Sequence, residues 1–234
     1  MPYRRLPNTD QARIRALKAV VAKADTHNLY DLAVSLKTLT EARNFLMRFE
    51  AAQSYYVQCF ERQSQAGRKH QANVKMARLY ISHFIQVLNL AVIRSEVRAA
   101  HKSYYGLPTD SSNVPTEAAL VEWGRKIIDG ETKRTSQGGI PIYNPTIAKV
   151  RVHYDIFTDS YDRQKNLQAL TARSLDSLST MRTTADELIL DIWNQVEKKF
   201  EDVSSNEKRL ELCRDYGLIY YYRTGEKRIE KVNE

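Results

Sequence analysis

Apolar residues return every three or four positions along most of this chain. One stripe runs Ala42, Phe45, Phe49, Ala52, Tyr56, Cys59, and a second runs Ile147, Val150, Tyr154, Phe157, Tyr161. Val74, Ala77, Ile81, Phe84, Leu88 and Ala91 repeat the pattern, as do Ala185, Ile189, Ile192, Val196 and Phe200, with Trp193 beside them. Alternating steps of three and four keep side chains on one face of a helix and suit packing against near-parallel neighbours. Punctuation agrees: Asn8 to Tyr105 holds no proline and only Gly67, and Thr146 to Tyr216 holds neither proline nor glycine. Strands need turn residues far more often than that.

Start signals divide the pattern into elements. Thr38 with Glu41 reads as a capping box, Asn144 before Pro145 as a cap with a first-turn proline, and Asn8 with Gln11 as the opening of a helix carrying Ile14, Leu17 and Val21. Thr116 opens another, carrying Leu120, Trp123 and Ile127. The expected helices are 8–25, 38–66, 70–104, 116–136, 145–178 and 180–204, then a short one over 206–215 closed by Gly217. Leu218 to Arg223 reads as extended and 224–234 as a loose polar tail. Gly67, and the lack of large apolar residues from Gln63 to Asn73, predict a turn at 67–70. Ser179, Thr180, Thr183 and Thr184 predict another at 179–184, with one continuous helix over 145–204 as the rival.

The fold class that follows is all-α: an antiparallel bundle of long helices forming a single domain, 1–234. An internal duplication is expected, with halves 1–107 and 108–218 that each hold a short helix and a long helical hairpin. Leu6-Pro7-Asn8-Thr9-Asp10 resembles Leu107-Pro108-Thr109-Asp110, Glu61-Arg62-Gln63 matches Asp162-Arg163-Gln164, and Tyr105-Gly106-Leu107 matches Tyr216-Gly217-Leu218.

Three segments carry a wider likeness: Tyr3 to Asp10 (YRRLPNTD), Ala77 to Val87 (ARLYISHFIQV) and Asn144 to Ala148 (NPTIA). They resemble an all-helical family from Bacteroidota-type bacteria that has no established activity. The resemblance covers most of the chain and implies a bacterial, cytoplasmic setting. It supplies no functional residues.

Charge is distributed unevenly along the chain. The 234 residues carry 36 Lys+Arg against 28 Asp+Glu, a net charge of +8. Residues 1–109 hold 17 basic and 7 acidic residues, and residues 110–234 hold 19 and 21, so the excess lies in the first half. No acidic residue occurs between Arg62 and Ser95, where Arg62, Arg68, Lys69, Lys75 and Arg78 form a candidate contact for phosphates or nucleic acid. Arg68-Lys69-His70 falls at the tip of the expected first hairpin. No nucleic-acid fold or stacking platform accompanies the charge.

Motifs for chemistry are missing. The five histidines, His27, His70, His83, His101 and His153, lack the Glu-x-x-His spacing of di-metal bundles. There is no Cys-x-x-Cys, no nucleophile elbow and no Walker loop. Gly138-Gly139 after Lys133-Arg134 reads as a helix stop rather than an anion loop. No catalytic residue, metal or cofactor is expected, and Cys59 and Cys213 read as reduced, packed thiols. The longest uncharged run, Leu79 to Ile93, is 15 residues, short of the ~20 that span a bilayer, so no membrane span is expected. Within that run Ser82, Gln86 and Asn89 share one helix face and form a candidate buried polar stripe or interface. Fourteen tyrosines, clustered at Tyr55-Tyr56, Tyr104-Tyr105 and Tyr220 to Tyr222, suit packing and contact surfaces. The functional expectation is a non-catalytic interaction or assembly protein with a protein partner, itself or another; the alternative is a nucleic-acid-binding accessory protein.

Overall fold

The computed structural model describes residues 2–26, 31–107 and 116–223. His27, the repeat match Pro108-Thr109-Asp110 and the tail from Thr224 lie outside the described residues. The fold is all-α, as the periodicity requires. Its helices are α1 (Asp10–Thr26), α2 (Leu36–Ile93), α3 (Glu117–Ser136), α4 (Ile147–Lys199) and α5 (Asn206–Asp215), with a 3₁₀ helix over Ala99–Tyr105. A two-residue antiparallel pair joins β1 (Tyr3–Arg4) to β2 (Tyr220–Tyr221), with Tyr3 opposite Tyr221.

The expected turns at 67–70 and 179–184 do not occur: α2 and α4 run through them unbroken. At the first, the polar stretch hides a buried residue. His70 is 3% exposed, with Nδ1 2.9 Å from Ser160 Oγ and Nε2 3.1 Å from Glu117 Oε2. At the second, Thr180 Oγ1 donates to the Asp176 carbonyl at 3.2 Å, so a cap-type hydroxyl is satisfied inside the helix. Two bidentate pairs hold that stretch against α1: Arg182 on Asp10 at 2.8 Å, and Arg13 on Asp186 at 2.7 and 2.8 Å.

The caps shift as well. Thr9 Oγ1, not Asn8, accepts from Ala12 N, and Thr146, not Asn144, accepts from Lys149 N. Ser35 Oγ accepts from Thr38 N at the start of α2. Thr38 lies one turn inside, where its hydroxyl meets Asp191 and Gln195 of α4. Thr116 caps α3 as expected, accepting from Ala119 N at 3.1 Å.

By contacts the chain divides into two compact units interleaved in sequence, 1–58 with 172–234, and 59–171. The first holds α1, the start of α2, the end of α4, α5 and the strand pair. Its core is Leu17, Ala42, Phe49, Leu178, Ala185, Ile192, Trp193 and Val196, all inaccessible to solvent. The second holds the end of α2, the 3₁₀ helix, α3 and the start of α4, around Ala77, Ile81, Phe84, Tyr105, Leu120, Ile127, Val150 and Phe157. Within each unit α2 and α4 run antiparallel: Thr38 meets Asp191 in the first, while His70 meets Ser160 and Tyr80 stacks on His153 in the second. Each unit also contains a buried tyrosine followed by a left-handed glycine, Tyr216-Gly217 (φ 84°) in the first and Tyr105-Gly106 (φ 52°) in the second.

Gly130, inside α3, is where the 3₁₀ helix crosses closely. A Cβ there falls 2.9 Å from Tyr105 Cα and 2.7 Å from its ring. Ala normally favours a helix over Gly by ~1 kcal/mol. Here the clash is with backbone, so Gly130→Ala is expected to destabilise by about 1–3 kcal/mol in chemical denaturation. A gain in stability would show that the crossing yields.

Candidate interaction surface

In the second unit the residues from Met76 to Ile93 are apolar on two faces. The inward face, Ala77, Ile81, Phe84, Ile85, Leu88 and Ala91, is buried in the core. On the opposite side Met76 is 41% exposed, Leu79 58%, Leu90 47% and Ile93 77%, with exposed His83 and Gln86 between them. The positions 76, 79, 83, 86, 90 and 93 step by three and four. They form a seam of the kind that packs helix against helix, and none is charged.

Ser82 and Asn89, half-buried, run along one edge of this seam, and Gln86 stands on it. Tyr80 and Val87, also half-buried, form the other edge. Among the described residues Asn89 Oδ1 is inaccessible to solvent and has no hydrogen-bond partner.

The expectation of no membrane span is corrected here. α2 contains an 18-residue window with no more than two charged residues, and by length and composition it is able to cross a membrane. Counting only an unbroken uncharged run is stricter than averaging over a window, which tolerates a charge. Soluble core helices meet the same criterion when mostly buried, but only 33% of this window is buried.

The basic candidates do not form one patch. Arg62, Arg68, Lys69 and Lys75 are exposed along α2, in mid-helix rather than at a hairpin tip. Arg62 and Lys69 lie seven residues apart on one line, Arg68 and Lys75 on another, about a third of a turn away. Arg78 is half-buried, and its Nε has no partner among the described residues. His70 points into the unit and stacks on Phe157.

Arg134 is also internal. It is 2% exposed and Glu131 is fully buried. The guanidinium donates from Nε (3.0 Å) and Nη2 (2.8 Å) to the Glu131 carboxylate, and from Nη2 to the Ile140 carbonyl at 2.8 Å. Glu131 Oε2 accepts from the Tyr105 hydroxyl at 2.5 Å, and Oε1 accepts from Ile142 N at 3.0 Å. Burial alone raises a carboxyl pKa, but these bonds outweigh it and hold Glu131 below its ordinary value. Burial, with the Glu131 carboxylate beside it, pushes the Tyr105 hydroxyl well up. Both carboxylate oxygens and the guanidinium Nε and Nη2 are paired within the unit, so Arg134, in the basic run before Gly138-Gly139, binds a side chain of its own chain.

In the first unit Arg4, Glu197, Arg209, Cys213 and Tyr220 line a cleft of ≈ 530 Å³. Its polar groups engage one another: Arg4 reaches Asn194 at 2.8 Å and Glu197 at 3.3 Å, and Tyr220 donates to Glu197 at 2.8 Å. Burial raises the pKa of both Cys213 and Tyr220, so each stays protonated at neutral pH and neither is poised as a nucleophile. Among the described residues no group of three or more His, Cys, Asp or Glu is placed to hold a metal ion.

Comparison of the chain with family models, curated proteins and solved structures finds no match to any of them.

Proposed function

We propose that this chain is a non-catalytic interaction or assembly protein that works through a helical surface, with the outward seam of α2 as its contact. The observation that carries the proposal is the row Met76, Leu79, Leu90 and Ile93, four large apolar side chains left in solvent on one charge-free line. A folded chain gains by covering such a row, and contiguous apolar surface of this kind marks a contact site. The polar residues at its centre favour a protein helix over lipid as the cover. His83 and Gln86 facing acyl chains are left without hydrogen-bond partners, whereas in a helix–helix seam polar positions find partners and set the register. Nucleic acid is less well supported, because the basic residues of α2 divide between two lines and the seam between Met76 and Ile93 carries no charge.

A photo-crosslinking residue at Leu79, in the protein expressed in its own cells, tests this. A discrete protein adduct is expected from Leu79 and none from Asp129, which is exposed on α3. Leu90→Lys in the same chain should remove the adduct without loss of helix content. Adducts to lipid or nucleic acid alone, or none, overturn the reading.

A further inference from the structure

The order of residues along the seam has a symmetry of its own. From Met76 the steps are three, four, three, four, three, and they read the same backwards from Ile93. The chemistry does too: Met76 and Leu79, then His83 and Gln86, then Leu90 and Ile93 give two apolar residues, two polar ones and two apolar ones. The centre lies between His83 and Gln86.

We infer that the occupant of this seam is a second copy of the chain, laid antiparallel on the first about a two-fold axis passing between His83 and Gln86. The inference rests on the seam being a contact surface and names its partner. A two-fold interface must be self-complementary, with residue i meeting j and j meeting i. Reversal about that centre sets Met76 on the partner helix's Ile93, Leu79 on its Leu90 and His83 on its Gln86, each pair made twice. The apolar ends bury one another, and an imidazole meets a carboxamide that can both donate and accept. A parallel pair sets His83 on His83 and Gln86 on Gln86, and loses the mixed polar pair. The contact line itself carries no charge, but the same reversal sets exposed Lys75 near the partner helix's Arg94 at each end, a like-charge approach that weakens the pairing.

The contact is small. A seam of 18 residues is ~27 Å of one helix, and it offers fewer residues than the ~20–30 a side of a standard stable interface. The dimer is therefore one that exchanges with monomer. Val74, Ala77 and Ile81 remain committed to the core, so no refolding is needed to form it.

Sedimentation and cysteine pairing test the inference together. The weight-average mass of the full chain should rise from 27.1 kDa toward twice that value over roughly 5–500 µM protein. The native thiols, Cys59 and Cys213, are buried and free, so introduced thiols at the exposed seam report separately. Under mild oxidation a mixture of Leu79→Cys and Leu90→Cys chains should form the disulfide dimer, while either variant alone should form little. Leu79→Lys with Leu90→Lys should abolish the dimer, with circular dichroism unchanged. Monomer at every concentration, or Leu79→Cys pairing with itself as readily as with Leu90→Cys, overturns the antiparallel dimer. If the chain is monomeric while the Leu79 photo-probe captures a different protein, self-pairing fails and the interaction reading stands; if the probe captures no protein, both fail.

Discussion

Glu131→Ala is expected to cost about 3–5 kcal/mol, because it leaves the Arg134 guanidinium charged and unpaired in the core of the second unit. The side chain removed accepts four hydrogen bonds, from Tyr105, from Ile142 N and twice from Arg134. None of these donors has water to replace it: Tyr105 is inaccessible and Arg134 is 2% exposed. The loss should appear as a lower midpoint in urea with the slope retained. Replacing both charges, Glu131→Leu with Arg134→Met, should cost much less than either single change, since a buried pair exchanged for apolar side chains is often near neutral. The native pKa of Glu131 lies below its unfolded value. Its contribution is thus fully present above the ordinary carboxylate range and is lost as pH falls through the native value. Glu131→Gln should flatten the acid limb of the stability profile; an unchanged acid limb would show that the carboxylate carries none of it.

Helix class was legible because burial imposes a period on the sequence. Phe49, Phe157 and Ile192, read from three-four stripes, are all inaccessible. Tyr154 lies at the core margin, its ring against α3 and its hydroxyl donating to Val121 O. Helix ends were less legible, because local turn signals compete with contacts made far along the chain. Gly67 signals a stop, yet its missing side chain faces Gln164 of α4, and three residues later His70 is held by α3 and α4. The buried charge pair left a trace that local reading passes over. The stripe Leu120, Trp123, Ile127 continues in the same register to Glu131 and Arg134, so the periodicity places both on the inward face. The seam on α2 was half visible. The run Leu79 to Ile93 is uncharged on every face and carries large apolar residues outside its buried face, which is more than one buried face requires. Following Ser82, Gln86 and Asn89 alone missed the apolar residues beside them. The Tyr-Gly-Leu repeat points to equivalent local roles, a buried tyrosine before a left-handed glycine. At Gly217 the constraint is double, because a Cβ would also fall 2.8 Å from Ala19 Cβ.

Phe49→Ala should lower stability by about 3–5 kcal/mol, the range for deleting a fully buried aromatic ring. The ring is inaccessible, stacks on Phe45 with centroids 5.6 Å apart, and belongs to a core shared by α1, α2 and α4. Collapse of the hole is resisted from several sides. Leu17 and Val20 are fixed by α1, which Arg13 and Asp10 tie to α4, and Trp193 and Ile192 are themselves inaccessible. A cavity that cannot close adds its own cost to the lost burial, which places Phe49 at the high end of the range. Met47, two residues away and 64% exposed, supplies the contrast. Met47→Ala should change stability by no more than about 0.5 kcal/mol, as surface substitutions do. The two variants measured side by side in chemical denaturation separate burial from helix propensity, since both replace a side chain in α2 with Ala, the best helix former. A loss below about 1 kcal/mol for Phe49→Ala, against the range expected for a buried ring, would mean that α2 is rotated from the register in which Ala42, Phe45 and Phe49 face the core.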